Sequence, residues 1–325
     1  MTFSFDSPLV VSAAESPMLL MLLKVTLVLM AALAVSALMR RGSATVRHLV
    51  WLVALVAALA VPLLSLWSPL PVRVLPAVDA SPAPTVRAEA TPPVPHSVQP
   101  APASAPSAAT TAAAPLTIDV GTMLLALWAL GVLVLLGRLA LGAWVVSRLV
   151  RRARLLDTQD WLRPLYEVAD RLGLDEAPRL VQSERIKMPF ATGVWKTVIV
   201  LPAESAQWSH ERRYAVLIHE LAHIRRRDLL GHLVGGFACA LYWFHPLVWT
   251  AARHLRAESE RAADDLALVL GTPASDYAEH LLEIVTQVRD ERMPAVALAM
   301  AKPREFEGRI LAILDPGRRR RGPGR

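Results

Sequence analysis

The sequence His219-Glu220-Leu221-Ala222-His223 places two histidines four positions apart with a carboxylate beside the first. On a helix, positions i and i+4 share a face, so both imidazoles can converge on one metal ion. Zinc takes neutral imidazole in tetrahedral geometry, and a hydrolytic zinc site keeps one position open for water. Glu220 is then placed to take that water's proton. The flanks are those of a helix: Ser209 can serve as N-cap and Glu211 falls in the first turn. Ala215, Val216, Ile218, Ala222 and Ile224 come next with no glycine or proline among them. A pentapeptide with three specified positions also arises by chance, with ordinary helix histidines and Glu220 on a solvated face. A third ligand separates the two readings.

Glu260-Arg261-Ala262-Ala263-Asp264 begins 37 residues after His223 and offers a carboxylate to complete a two-histidine, one-carboxylate zinc site. Asp264 shares a helix face with Glu260. It could accept a hydrogen bond from the distal nitrogen of a ligating histidine, fixing its tautomer and raising its basicity. The plain alternative for both is a solvated charged face. Glu258 competes with Glu260, but two residues on a helix turn through about 200°, so the two cannot face one metal together. The partner at i+4 favours Glu260, while Asp265, seven residues after Glu258, keeps the choice open. His232, His245 and His254 show no paired spacing and read as structural.

These residues must be positioned by a chain of unusual composition. Its 325 residues are 54% hydrophobic with mean hydropathy +0.38, beyond an ordinary soluble domain. Three apolar runs, 17–39, 49–67 and 120–146, are each long enough to span a bilayer. Arg40, Arg41 and Arg47 lie between the first two, and Arg148, Arg151, Arg152 and Arg154 come directly after the third. The first 17 residues carry no Lys or Arg. The positive-inside rule therefore places the N-terminus outside and the region beyond residue 154 in the cytoplasm of a bacterial-type inner membrane. The net charge of +7 and pI near 10.1 are accounted for by these flanks, and no nucleic-acid partner is expected. Ala34-Val35-Ser36-Ala37 ends an apolar run in small residues, but no basic region precedes it, so the first span reads as an uncleaved anchor. Lys24 within it is expected to snorkel toward the outer interface. Cys239, the only cysteine, excludes an intrachain disulfide and reads as an inert apolar residue.

The chain divides into five regions: two spans in 1–67, a Pro/Ala-rich extracytoplasmic linker over 68–117, a third span with its basic flank over 118–154, a mixed domain over 155–314, and a basic tail over 315–325. The linker cannot bury a core and is expected to be extended. In the domain, 161–172 reads as an amphipathic helix ending at Gly173, and 179–182 and 197–201 as short strands. The segment 188–193 could border the cleft, as a plain hairpin edge or as a strand that binds extended substrate. The apolar segment 229–249 is long enough to cross the membrane once, but a crossing would part Glu260 from the histidines. It is therefore either a re-entrant or membrane-apposed element broken near His245-Pro246, or a buried helix of the domain.

Taken together, these residues resemble the BlaR/MecR family of regulatory membrane metallopeptidases, which sense β-lactams and release a transcriptional repressor. The resemblance runs through 219–228, Phe244-His245-Pro246-Leu247-Val248-Trp249, 258–265 and Arg309-Ile310-Leu311-Ala312-Ile313-Leu314. It implies an α+β, mostly helical fold: transmembrane helices followed by a cytoplasmic zincin-like (minimal gluzincin) metallopeptidase domain. It also implies His219, His223 and Glu260 as zinc ligands, with Glu220 as general base, and as substrate the protein itself or a cytoplasmic repressor. Antibiotic-sensing members carry a C-terminal penicillin-binding domain, which this sequence lacks, as it lacks a Ser-x-x-Lys nucleophile. Direct β-lactam acylation is not expected, and a signal would arrive through the linker, the lipid-embedded spans or a separate sensor partner. Two other classes share the pattern: a quality-control protease of the HtpX type, and a non-catalytic membrane scaffold. Metal content and a Glu220 substitution separate the scaffold from the proteases.

Overall fold

The computed structural model describes residues 17–40, 42–67, 119–290 and 303–315. The linker and basic tail expected from the sequence lie outside the described residues. Three long apolar helices come first: α1 (Pro17–Leu38), α2 (Ala44–Trp67) and α3 (Val120–Arg152). All three have the length and composition of membrane spans. In α3 no residue is buried, and Leu124, Leu133 and Leu141 point outward. A helix apolar on every side belongs in lipid. Asp119 caps its first turn by accepting from the Gly121 N–H, and Arg151 and Arg152 complement the dipole at its far end. The helix thus continues through the basic flank that the sequence places after the span.

The chain then forms β1 (Arg154–Leu155), α4 (Gln159–Leu172), β2 (Arg179–Ser183), β3 (Phe190–Thr192) and β4 (Val198–Pro202). Gly173 ends α4 in the left-handed conformation at φ 62°, as its sequence position predicts. The sheet order is β1-β2-β4-β3, with β2 and β4 parallel and β3 antiparallel at the edge. Gly193, at φ 91°, makes the tight β3–β4 turn. Every residue of β4 is buried, because the strand is covered on both faces. Val198 and Val200 meet Leu149 and Val150 at the end of α3, while Ile199 and Leu201 enter the main core.

That core centres on α5 (His210–Arg226), whose Leu217, Ile218, Leu221 and Ala222 pack between α4 and the sheet on one side and later helices on the other. Ser209 caps it, accepting from Arg212 N at 3.2 Å. The ambiguous segment 229–249 resolves into a helical hairpin. α6 (Asp228–Leu241) ends, four residues turn, and α7 (Pro246–Val269) runs back, its Pro246 at a helix start where its missing N–H costs nothing. The hairpin packs against α1 and α2 through Val25, Leu29, Trp51, Leu55, Tyr242, Val248 and Leu255, with Cys239 buried among them. Its tip is pinned by hydrogen bonds: Tyr242 Oη donates to Ala58 O at 2.9 Å, Trp128 Nε1 to Leu241 O at 3.0 Å, and Trp243 Nε1 to Trp128 O at 3.3 Å. Ala58 lies 14 residues into α2, or about 21 Å along it at 1.5 Å per residue. The hairpin thus enters deep among the long helices and returns, bringing the second half of α7 beside α5. α8 (Ala274–Asp290) and α9 (Pro303–Leu314) close that side of the core.

Candidate metal centre

His219 and His223 project from one face of α5, and Glu260 approaches from α7. Ligand-capable atoms of the three lie within 4.8 Å of one another, the one such group among the described residues. The two Nε2 atoms are 3.2 Å apart, and Glu260 carboxylate oxygens lie 3.6 Å from His219 Nε2 and 3.8 Å from His223 Nε2. Tetrahedral zinc, with bonds of about 2.0–2.2 Å, spaces its ligand atoms about 3.3–3.6 Å apart. The donor set fits a metal of that kind.

The outer nitrogens strengthen the fit. His223 Nδ1 donates to Asp228 Oδ2 at 2.8 Å. His219 Nδ1 donates to Tyr277 Oη at 2.9 Å, and that hydroxyl donates on to Asp264 Oδ1 at 2.9 Å, itself 3.3 Å from His219 Nδ1. Both histidines therefore carry hydrogen on Nδ1 and turn bare Nε2 lone pairs toward each other. Only a proton or a cation between them relieves that repulsion. Burial alone would lower the His219 pKa, but hydrogen bonds to Asp264 and Glu260 outweigh it and raise the value to about 10. The same cavity holds Glu260 well below the usual carboxylate range: burial opposes its charge, but His219 and Arg309 favour it more strongly. Burial and the adjoining Asp264 charge push the Tyr277 hydroxyl well above its ordinary value, so it remains a donor.

Asp264 lies on the face of α7 that carries Glu260. Glu220 is buried at 6% exposure on α5, next to His219. Glu258 points the other way, to Arg47 Nη2 at 2.7 Å and Arg261 Nη1 at 2.7 Å, and takes no part in the centre. His245 meets Thr26 Oγ1 at 3.0 Å and His254 stacks on Trp51. Neither these two nor His232 joins the metal-capable group.

Three further residues complete the site, and sequence reasoning assigned none of them a role. Arg309, from α9, grips Asp264 through Nε at 2.9 Å and Nη2 at 2.8 Å, and reaches Glu260 Oε2 through Nη1 at 2.9 Å. Tyr277 comes from α8. Asp228 comes directly after Arg227, whose left-handed backbone at φ 53° turns the chain sharply between α5 and α6 and returns Asp228 to His223. Asp228 also accepts from Ser259 Oγ at 2.7 Å. Burial would raise its pKa, but His223 and Arg226 hold it below the ordinary value. Arg309 and Asp228 stand inside the sequence blocks that carry the family resemblance, which was the one signal for them; Tyr277 has none.

Residues 16–313 match the BlaR1 peptidase M56 family. The chain belongs to that family. Over 142 residues it is 29% identical to the Regulatory protein BlaR1 of Bacillus licheniformis, an alignment covering 43% of this chain and 23% of that protein. The match thus spans less than a quarter of the relative's length. M56 proteins are membrane-associated regulatory peptidases of the metallopeptidase class, and this chain carries the apolar long helices and the metal-capable group that such a peptidase requires. Its fold is mostly helical with one small sheet, in keeping with the class expected from the sequence.

Proposed function

We propose that the chain is an integral-membrane zinc endopeptidase whose active site faces the cytoplasm and whose substrate is itself or a cytoplasmic transcriptional repressor. The observation that carries this reading is the convergence of His219, His223 and Glu260, with both Nδ1 atoms committed to outer partners. These three residues would hold zinc. When bound, the ion acidifies a water and polarises a peptide carbonyl. Glu220, on the same helix turn as His219, would take that water's proton and return it to the leaving amine. Asp228, Tyr277 and Asp264 keep both imidazoles in the ligating tautomer. The free edge of β3, which packs beside α5, can pair with an extended peptide and align it along the site.

The cytoplasmic orientation rests on charge. Arg40 and Arg47 at the α1–α2 turn and Arg148, Arg151 and Arg152 at the end of α3 flank the end of the bundle that carries the peptidase core. The regulatory role rests on the family and on the similarity to a regulatory protein.

The test uses Glu220→Gln in detergent-purified protein. It should hold about one zinc per chain, like wild type, and should trap substrate without cleaving it. A captured DNA-binding repressor supports the regulatory role, whereas a broad set of misfolded membrane proteins would replace it with quality control. Cleavage at the wild-type rate in this variant would remove Glu220 from the mechanism.

A further inference from the structure

Glu258 and Glu260 are two residues apart on α7, so they leave the helix about 200° apart and only about 3 Å apart along its axis. Glu260 faces the histidines. Glu258 faces α2, where Arg47 donates to it at 2.7 Å with both side chains 5% exposed. The other arm of Arg47 reaches carbonyls at the end of α1 and in the α1–α2 turn: Met39 O and Arg40 O, each at 3.4 Å, and Gly42 O. One guanidinium therefore joins α1, α2 and α7. The next residue makes a parallel link: His48 Nδ1 donates to Leu255 O of α7 at 3.2 Å, and its Nε2 lies 3.7 Å from Asp228 Oδ1. Asp228 is the carboxylate that holds His223. The first turn of α2 thus touches the residue backing Glu260 and the residue backing His223.

We propose that Arg47 and Glu258 are positioning residues of the metal centre: their buried ion pair sets the rotation and height of α7 at which Glu260 reaches His219 and His223. This rests on the assignment of those three residues as metal ligands. Desolvating two charges is costly, and a well-packed apolar pair at such a site is commonly as stable or more so, so net stability is a weak reason for the pair. Geometry is the stronger one. Apart from the His48–Leu255 hydrogen bond and the stacking of His254 on Trp51, the α2–α7 contact is apolar, through Trp51, Leu55, Val248, Ala251 and Leu255, and apolar contacts have no preferred direction. They allow sliding that a bonded guanidinium forbids. A movement of α1 and α2 against α7 would displace Glu260 directly, which makes the metal centre responsive to the spans.

The experiment measures zinc affinity by chelator competition on the full chain in detergent, together with the visible absorption of the cobalt(II)-substituted protein, whose intensity reports coordination geometry. Wild type and Glu260→Ala come first: equal affinity in these two would overturn the site itself. With the site established, the double variant Arg47→Met/Glu258→Leu removes both buried charges. It should retain the fold, bind zinc about 10- to 100-fold more weakly, as loss of an outer partner does elsewhere, and alter the cobalt spectrum. Arg47→Lys should fall between it and wild type. Glu258→Gln, which retains shape and an acceptor, gives the same readout if the double variant does not fold, with a smaller loss expected. Wild-type affinity and spectrum in whichever of these folds would overturn the positioning role while leaving the three-ligand site intact.

Discussion

Asp264→Asn isolates the second carboxylate of α7 with little change of shape. Asp264 is 3% exposed and accepts three hydrogen bonds, with His219 close by. Its Oδ1 accepts from Arg309 Nη2 at 2.8 Å and Tyr277 Oη at 2.9 Å and lies 3.3 Å from His219 Nδ1, while Oδ2 accepts from Arg309 Nε at 2.9 Å. An asparagine can keep an acceptor at the Oδ1 position only by turning its NH2 toward the Arg309 Nε–H, donor against donor. One charge-assisted bond is then lost, a destabilisation of about 1.5–3 kcal/mol. On the metal side, removing the charge behind His219 should weaken zinc about 10- to 100-fold, or about 1.4–2.8 kcal/mol. Alanine is the poorer choice, since it removes both bonds from Asp264 to the Arg309 guanidinium and leaves that guanidinium to Glu260, a member of the group under test. Denaturant unfolding of the metal-free protein reads the first effect, and chelator competition reads the second. Asparagine protein that is destabilised as expected but binds zinc like wild type would refute the reasoning, because Asp264 would then serve Arg309 and not His219.

Zinc must displace the proton that His219 carries up to a pKa of about 10, so its apparent affinity should rise with pH through the neutral range and binding should release a proton. Calorimetry in buffers of different ionisation enthalpy checks this, and identical heats in all of them would contradict it. Cysteine labelling should find position 104 accessible from outside and positions 183 and 272 from the cytoplasm. Position 272 reachable only from outside would reverse the proposed orientation of the peptidase core. Tyr242→Phe removes the hydroxyl bonded to Ala58 O and should cost about 1 kcal/mol in unfolding, and no change would show that the hairpin tip is not anchored there.

α5 was legible in the sequence because its signals are local. An i, i+4 histidine pair, a serine cap and an apolar periodicity are set by helix geometry alone, and the structure has the helix where they place it. The long apolar helices were legible for the same reason, since length and composition suffice to specify them. For Glu260 the sequence offered a preference over Glu258. What settles their faces is Arg47, 211 residues upstream of Glu258, which occupies the opposite side of α7. Segment 229–249 was ambiguous because a single crossing and a re-entrant hairpin require the same apolar composition. Contacts with Ala58 on α2 and Trp128 on α3 decide between them, and these exist only once the helices pack. Tyr277 and Arg309 reach the site from α8 and α9, and no periodicity on their own helices marks them. Nδ1 of His219 and the Asp264 carboxylate are held by partners whose proximity is created by the core around α5, and so the tautomer that turns the two Nε2 atoms toward each other is a property of the tertiary structure.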